Sequence, residues 1–277
     1  MRLLLATWNI NSIRPRAEPL RRLIAYERPD ILCLQETKVA DDHFPHGLAQ
    51  ELGYGHRLVR GEPGYNGMAI LSRVPLIPLP HRDFCRKGDC RHLAARLPGG
   101  IELHNLYVPA GGHVADPRAN PKFAHKLAFL DEVARWLKRQ RAGNGLILAG
   151  DLNVAPLPAD VWSHEKLLGV VSHTPIEVEA LERIRAAKGF TDALRHFIAP
   201  ETKLYSWWSY RARDWRASDR GRRLDHIWVT APLASRLSSA HVLKDARDWS
   251  PPSDHAPVLA GLEIEHDIAL ARPEPRR

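Results

Sequence analysis

The stretch LILAGDLN, residues 146–153, places a carboxylate and a carboxamide directly after a short apolar run. An apolar run this short between Gly145 and Gly150 does not make a helix and favours a strand buried on both faces. In extended backbone, residues two apart project to the same side, so Asp151 and Asn153 are expected to share one place in space. The same residues also suit a simple turn at a strand exit, and this stretch alone leaves both readings open.

The size and charge of the chain set limits on its class. It has 277 residues, is 44% hydrophobic and carries a net charge of +8, so it can bury a large core and attract polyanions. No apolar run approaches the roughly twenty residues of a membrane helix, and polar Asn9 and Asn11 come too early for a secretory signal peptide. We therefore predict a cytoplasmic location without membrane attachment. The three cysteines, Cys33, Cys85 and Cys90, are an odd number, which favours reduced thiols over a disulfide framework.

Strand-like runs alternate with helical patterns along the chain. Helices are predicted at about 15–28, 121–141 and 176–188, the last ending at Gly189 as a C-terminal cap. Without an internal repeat or linker, the pattern predicts a single α/β domain over residues 1–270 and a disordered tail at 271–277. The predicted strands cover residues 3–8, 31–34, 68–71, 103–108, 146–149, 224–229 and 258–262.

Unusual polar residues stand at the ends of these strands. One Asn or Asp at a strand end is ordinary turn chemistry, but six such ends indicate side chains that converge on one rim. The set is rich in oxygen donors and contains no Cys, which favours Mg²⁺ or Mn²⁺ over Zn²⁺. A metal, a base and an imidazole together indicate phosphodiester hydrolysis. The six segments are WNIN (8–11), QETK (35–38), YVPAGG (107–112), DLN (151–153), RLDH (223–226) and SDHAP (253–257).

These motifs, in this order, resemble the exonuclease III family of abasic-site endonucleases, within the superfamily that includes pancreatic deoxyribonuclease and the inositol polyphosphate phosphatases. The resemblance spans nearly the whole chain, and its seven markers are WNIN (8–11), LQETK (34–38), NGMAILS (66–72), NLYVP (105–109), GDLNVAP (150–156), RLD (223–225) and SDHAP (253–257). Each motif alone is weak, whereas seven in sequence order are strong. The resemblance implies an α/β (α+β) four-layer sandwich with two mostly antiparallel β-sheets face to face, helices outside, and a site at the upper edge of the sheets.

The resemblance also assigns the metal-binding residues. It makes Glu36 the main metal carboxylate, with Asn9 and Asp254 completing the site or supporting it. A carboxylate beside a divalent ion stays ionised, and the ion can neutralise the phosphate and the leaving 3′ oxygen. Asn11 stands where some relatives carry Asp, so a second metal contact is expected to be weaker. The full predicted metal set is Asn9, Glu36, Asp151, Asn153, Asp254 and His255.

Five residues take catalytic roles by the same resemblance. Asp151 orients or deprotonates the attacking water, while Asn153 donates to the phosphate or holds Asp151 in place. His255 stabilises the charge of the five-coordinate transition state, and Asp225 keeps that imidazole protonated and oriented. Tyr107 lies against the phosphate, either as a hydrogen-bond donor or as a phenolate.

Aromatic residues and arginines are interleaved in the segment YSWWSYRARDWR, residues 205–216. Aromatic faces suit a flipped-out or baseless sugar, and Arg suits the flanking phosphates. The alternative is a core tryptophan pair beside a solvated basic loop. The glycine-rich loop at 61–67 is interpreted as a hairpin that faces DNA, and Lys126 is a further candidate for a phosphate contact. The predicted DNA-binding residues are Lys38, Tyr65, Asn66, Lys122, Trp207, Trp208, Tyr210 and Arg211.

His81, Cys85, Cys90 and His92 form a second candidate metal site. Their spacing is irregular and lacks a tight Cys-x-x-Cys pair, which is the usual mark of structural zinc. A polar hairpin is therefore favoured over a zinc site here.

The leading hypothesis is a Mg²⁺-dependent DNA repair nuclease that cuts 5′ to abasic sites, with 3′-to-5′ exonuclease, 3′-phosphodiesterase and 3′-phosphatase activities. Its expected partner is double-stranded DNA with abasic sites or 3′-blocked ends, and the expected state is a monomer. One alternative is a phosphatase or phosphodiesterase of the same superfamily that acts on inositol phosphates or lipid headgroups. Another is a non-catalytic DNA-binding module.

Overall fold

Two six-stranded mixed β-sheets form the centre of the computed structural model, which describes residues 2–140 and 143–264. The predicted tail at 271–277 lies outside the described residues. Within them, the strands are β1 (Arg2–Asn9), β2 (Ile31–Gln35), β3 (His56–Glu62), β4 (Tyr65–Ser72), β5 (Ile77–Leu79), β6 (His92–Arg96), β7 (Glu102–Tyr107), β8 (Leu146–Asp151), β9 (Thr191–Asp192), β10 (Trp207–Trp208), β11 (Gly221–Arg222), β12 (Asp225–Val229), β13 (Leu237–Val242) and β14 (Val258–Glu263).

The helices of the described residues lie mainly on the outside of the sheets. Three agree closely with the predicted helices, and Gly189 caps the third in a left-handed conformation, as predicted. Thr174 and Glu177 form a capping box at the start of that helix. The α-helices are α1 (Ala17–Glu27), α2 (His46–Glu51), α3 (Pro121–Arg139), α4 (His164–Leu167), α5 (Pro175–Lys188), α6 (Ala193–Phe197), α7 (Trp215–Ser218) and α8 (Ala231–Ala234).

Each large sheet contains one parallel pair of strands among antiparallel neighbours. The first sheet has the order β13-β14-β1-β2-β4-β3 with β1 and β2 parallel, and the second has β5-β6-β7-β8-β12-β9 with β7 and β8 parallel. Strands β10 and β11 form a separate small sheet. The predicted pair of mostly antiparallel sheets is therefore confirmed.

Three hydrophobic clusters pack between the layers of sheets and helices. Leu5 and Cys33 of the first sheet pack with Ile147 and Ile227 of the second, so the main core lies between the sheets. Because side chains alternate along a strand, the other face of each sheet is also apolar and is covered by helices. One outer cluster joins the first sheet to α1, and the other joins the second sheet to α3 and α5. The result is the expected four-layer sandwich with helices outside.

The polar strand ends lie together at one edge of the sandwich. The parallel strands β1, β2, β7 and β8 all finish there, while β12 and β14, antiparallel to their neighbours, begin there. Below this edge, buried Gln35 donates to Asn105 at 2.7 Å and ties the two sheets together. No helix of the described residues is long and apolar enough to cross a membrane.

Candidate active site

Three neighbouring strands of the second sheet place one polar side chain each in a row. Tyr107 at the end of β7 pairs with Asp151 at the end of β8, and Asp151 pairs with Asp225 at the start of β12. Paired residues on adjacent strands project to the same face, so the three side chains lie side by side. The strand register therefore positions half of the site without help from loops.

The turn after β8 places Asn153 against Asp151, with a backbone conformation that the sequence did not predict. The expected extended backbone is wrong, because β8 ends at Asp151 and Asn153 has a left-handed φ of 53°. The backbone N–H of Asn153 donates to Asp151 Oδ1 at 3.0 Å, and its side-chain amide donates to Oδ2 at 3.1 Å. Asn tolerates this conformation better than most residues. The stretch is thus a turn and a site at once.

A single amide joins the two sheets at the site. Asn9, the last residue of β1, donates through Nδ2 to Glu36 Oε1 at 2.8 Å and to Asp151 Oδ2 at 2.9 Å. Glu36 also accepts from the Tyr107 hydroxyl at 2.6 Å and forms a 2.9 Å ion pair with Lys38. Glu36 and Lys38 both have positive φ values, 53° and 54°. Such strained backbone clusters at functional sites in proteins.

An imidazole lies beside the same carboxylates. His255 Nδ1 lies 2.8 Å from Asp225 Oδ2, and its Nε2 lies 3.7 Å from Asp151 Oδ2. Ser206 donates to the same Asp225 oxygen at 2.6 Å. The other oxygen, Asp225 Oδ1, is buried without a hydrogen-bond partner among residues 2–140 and 143–264. The ring is therefore held between two carboxylates.

Burial and neighbouring charges shift the pKa values of these groups. Burial raises the pKa of Asp151 to about 7, and the charges of Asp225 and Glu36 add to the increase. Burial lowers the pKa of His255, but Asp225 and Asp151 outweigh it and raise that pKa to about 10. Burial also raises the pKa of Tyr107 well above its usual value, so the side chain is a phenol at neutral pH. For Glu36, the hydrogen bonds outweigh burial and lower the pKa.

Asp254 lies at the rim, held by two donors. Its carboxylate accepts from Trp207 Nε1 at 2.9 Å and from the Asn11 amide at 3.2 Å. The side-chain oxygen Oδ1 of Asn11 accepts from Lys38 Nζ at 2.6 Å. Because an amide both donates and accepts, Asn11 links Lys38 to Asp254, which an ionised Asp would not do.

A cavity of about 720 Å³ opens above these residues. Tyr107, Asp151, Asn153 and His255 lie on its floor side, and the segments 162–172 and 220–224 contribute its wall. Apart from residues 223 and 224, which belong to the RLDH motif, this wall was not predicted from the sequence, because its other residues match none of the motifs. The wall includes Trp162, Leu167, Val171, Ser172, Arg220 and Arg222.

Comparison with known proteins agrees with this geometry. The Endonuclease/Exonuclease/phosphatase family matches residues 6–255 of the chain. Exodeoxyribonuclease III of Haemophilus influenzae is 30% identical over 268 residues, which cover 92% of this chain and 97% of that protein. The chain belongs to the exonuclease III branch of this family. It is therefore a hydrolase related to DNA repair nucleases.

Solved structures of the exonuclease III type have the same fold. An AP endonuclease from Archaeoglobus fulgidus superimposes with a TM-score of 0.86 at 32% identity, covering 95% of this chain and 100% of that one. The 3′ phosphatase NExo from Neisseria, bound to a product DNA hairpin, gives a TM-score of 0.85 at 32% identity with the same coverage.

The active-site residues of this chain suit a metal ion. Potential ligand atoms of Asp151, Asp225 and His255 all lie within 4.8 Å of one another, and with His255 protonated the donors to a cation are the carboxylate oxygens. Glu36 and Asp151 add a second pair of carboxylates, held on either side of the Asn9 amide. Divalent cations such as Mg²⁺ and Mn²⁺ prefer oxygen donors of this kind. The acidic cluster can thus hold a metal ion.

Some of the predicted DNA-binding residues line cavities or are exposed, and others are buried. Trp207 and Arg211 line the cavity, and Lys122 lines a neighbouring groove of about 750 Å³. Tyr65 and Tyr210 are 60% and 49% exposed. That groove shares Tyr107, Ala110, Gly112 and His113 with the cavity and adds Lys87, Arg91 and His125.

Three of the predicted DNA contacts have buried side chains in this structure. Trp208 is 1% exposed and donates to Asp219, because neighbours on β10 face opposite ways and only Trp207 lines the cavity. Asn66 is also 1% exposed, with its amide turned to Glu62. Lys126 is fully buried in an ion pair and does not reach the surface. Burial, which local sequence does not reveal, decides each case.

In the candidate zinc site, the ring nitrogens of His92 have partners within the protein. His92 Nδ1 accepts from the backbone N–H of Arg82 at 2.9 Å, and its Nε2 lies 3.1 Å from His104 Nδ1. Both ring nitrogens therefore have protein partners. Cys85 and Cys90 are free thiols.

Proposed function

We propose that this enzyme is a Mg²⁺-dependent nuclease that hydrolyses the phosphodiester 5′ to abasic sites in double-stranded DNA and also removes 3′ blocking groups and 3′ nucleotides. Its main support is the Asn9 amide, which holds Glu36 and Asp151 together beside His255. Carboxylates, a phenol and a protonated imidazole around one cavity suit attack of water on a phosphate. The relatives named above include an AP endonuclease and a 3′ phosphatase.

Asp151 is the proposed base for the attacking water. Burial raises the pKa of its carboxyl group and so favours proton uptake from water, while a divalent ion bound nearby would keep the carboxylate ionised. Two hydrogen bonds from Asn153 fix the direction of its carboxylate. The Asn153 amide also donates to the Val108 carbonyl at 2.9 Å, so the pair is anchored to the second sheet.

His255 and Tyr107 are the proposed donors to the phosphate oxygens. With its raised pKa, His255 stays protonated at neutral pH, and Asp225 holds the ring through Nδ1 so that Nε2 points toward Asp151. Tyr107 stays a phenol and presents its hydroxyl beside Glu36. Both groups donate where negative charge develops in the transition state.

Glu36, Asp151 and Asn9 are the proposed residues that hold Mg²⁺, or Mn²⁺ as a substitute. A bound ion supplies Lewis-acid stabilisation of the phosphate and of the leaving oxygen. Asp254 is held by Trp207 and Asn11 and supports the site from the rim.

Duplex DNA is the proposed substrate because basic and aromatic side chains flank the cavity on two sides. Arg211, Arg220 and Arg222 lie on one side, and Lys87 and Lys122 lie in the adjacent groove. Such side chains bind phosphates and stack on sugars or bases. A monomer is the proposed oligomeric state. The free thiols suit a reducing compartment, so we place the enzyme in the cytoplasm.

The test is incubation of the protein with three labelled duplexes, one with a single abasic analogue, one with a 3′-phosphate and one intact. We expect a nick 5′ to the abasic analogue and release of the 3′-phosphate, both abolished by a chelator and restored by Mg²⁺. Asp151→Asn is the inactive control. Cleavage of an inositol polyphosphate but of none of the duplexes would overturn the proposal, whereas reaction at the 3′-phosphate alone would reject abasic-site incision.

A further inference from the structure

Lys126 is a fully buried cation directly behind the site. It lies on α3, and its ammonium is 2.5 Å from Glu177 on α5, whose side chain is also fully buried. Burying two charges costs several kcal/mol, and apolar residues in such places are often at least as stabilising. The surrounding contact of α3 and α5 is otherwise apolar, through residues such as Phe129, Leu130 and Leu181. Stability alone therefore gives no clear reason for an ion pair here.

The ammonium of Lys126 reaches the turn that carries a catalytic residue. Its Nζ donates to the backbone carbonyl of Asn153 at 2.7 Å and to that of Ala110 at 3.4 Å. Asn153 is left-handed, so its turn needs outside support. The aliphatic part of Lys126 packs on Gly111, where an added Cβ would come within 2.9 Å of Lys126 Cδ. Lys126 is thus fitted to both loops at the floor of the cavity.

The partner carboxylate holds the opposite wall of the cavity. Both oxygens of Glu177 accept from the backbone N–H of Ser172 at 2.9 Å, and one also accepts from the Thr174 hydroxyl at 2.7 Å. Ser172 Oγ in turn accepts from Arg222 at 2.7 Å, and the Val171 carbonyl accepts from the same guanidinium at 2.9 Å. Arg222 lines the cavity and lies 5.4 Å from the Trp207 ring centroid.

We propose that Lys126 and Glu177 are positioning residues. They hold the turn at Asn153 at a fixed separation from the cavity-lining segment 171–172, which binds Arg222. One ion pair thereby couples the water-activating residues to the part of the cavity that receives the DNA. This inference rests on the proposed nuclease function for its kinetic consequences. Its structural consequence, a fixed relation between two segments, is independent of the substrate.

Lys126→Met is the direct test, because Met keeps the length of the aliphatic chain and removes the charge. We expect kcat to fall by roughly 10- to 100-fold with a much smaller change in KM, since misplacement of about 1 Å can cost this much. Lys126→Arg should recover part of kcat because it keeps the charge. Amide hydrogen exchange should become faster at residues 151–155 and 170–174 in Lys126→Met and remain unchanged in the distant strands.

Arg195→Met is the matched control. Arg195 also forms a nearly buried ion pair, with Asp160, but it lines a different cavity. We expect this variant to lose stability while kcat remains within about twofold of the wild type, because Arg195 bonds to Asp160, Ala199 and Thr202, which lie outside the active site. If Arg195→Met loses as much kcat as Lys126→Met at an equal decrease in Tm, general destabilisation explains the effect and the proposal is wrong.

Glu177→Gln provides a second variant if Lys126→Met does not fold. The new amide places an N–H group against the Ser172 N–H, so the segment that holds Arg222 should move and KM should rise. Wild-type kinetics and normal exchange in both variants would overturn the inference while leaving the nuclease function intact. An inactive wild type would reject the function instead, and hydrogen exchange would still decide whether the pair holds the two segments.

Discussion

Two buried charge clusters lie at the start of β12, and their charges are balanced very differently. The first is the site cluster, which we define as Asp151, Asp225 and His255. One imidazole serves both carboxylates, at 2.8 Å and 3.7 Å, and one Asp225 oxygen has no partner within residues 2–140 and 143–264. Acid is therefore in excess, and the pKa of Asp151 is raised to about 7, first by burial and then by neighbouring carboxylates.

The second is the structural cluster, which we define as Asp160, Asp192, Arg195 and Arg223. Arg223 binds both oxygens of Asp160, at 2.8 and 2.9 Å, and one oxygen of Asp192 at 2.6 Å. Arg195 forms a further ion pair with Asp160. Burial raises the pKa values of both carboxyls, but the guanidinium of Arg223 outweighs it and holds them below their usual range.

The difference shows how similar residues serve structure or function. Each cluster contains two aspartates, all buried except Asp192, whose side chain is 12% exposed, and Arg223 and Asp225 are only two residues apart. Where guanidinium groups match the carboxylates in number and geometry, the carboxylates stay ionised and the cluster holds its segments in place. Where a single imidazole must serve two carboxylates, the cluster retains affinity for a proton or a cation, which is what a hydrolytic site requires.

Asp151→Asn should produce the largest effect on activity. We expect kcat to fall by about 10²- to 10⁴-fold, because the proposed base is lost. In metal-free buffer, the free energy of unfolding should change little, because the relief of repulsion between Asp151 and Asp225 offsets the loss of the attraction to His255. Turnover measurements with denaturant titrations test both statements. A variant that is active yet unstable would mean that Asp151 belongs with the structural type of cluster.

Arg223→Met should produce the largest effect on stability. Removing one partner of a buried ion pair typically costs about 3–5 kcal/mol, because the other charge is left unpaired. Equilibrium unfolding in urea measures the loss, with Arg185→Met as a control whose ion pair to Glu182 is largely exposed. A loss below about 1 kcal/mol, the range of exposed pairs, would show that the two clusters do not differ as described.

Acid should weaken the structural cluster by a smaller amount. The pKa of Asp192 is lowered in the folded protein, so its contribution is complete above the unfolded value of about 3.9 and is lost as the pH falls toward the folded value. We expect the free energy of unfolding to decrease below about pH 4 in the wild type. In Asp192→Asn, urea titrations at several pH values should show a flatter decrease. Equal slopes in the two proteins would contradict the assignment.

Much of the site could be predicted because it follows from strand ends. Asn9, Tyr107 and Asp151 end strands, and Asp225 begins one, so their convergence depends only on strand direction and register. The left-handed turn at Asn153 could not be predicted, since its conformation depends on bonds to Asp151 and Val108.

Elsewhere, the burial of individual side chains could not be predicted from the sequence. Trp207 and Trp208 are neighbours with the same local propensity, yet only the packing of β10 decides which one lines the cavity. Lys126 reads as a surface lysine, because its partner Glu177 lies far away in sequence and meets it only when α3 packs on α5.

The sequence by itself determined the α/β class and the side chains with reactive chemistry, because apolar runs and motifs are local properties. Its ordered motifs also indicated the family, and that resemblance implied the layered fold. The tertiary structure decided the pKa values, the cavity wall, and the separate roles of Arg223 and Asp225. These depend on which distant charges meet in a medium with little water, where the interaction of charges is strong and an unpaired group is costly.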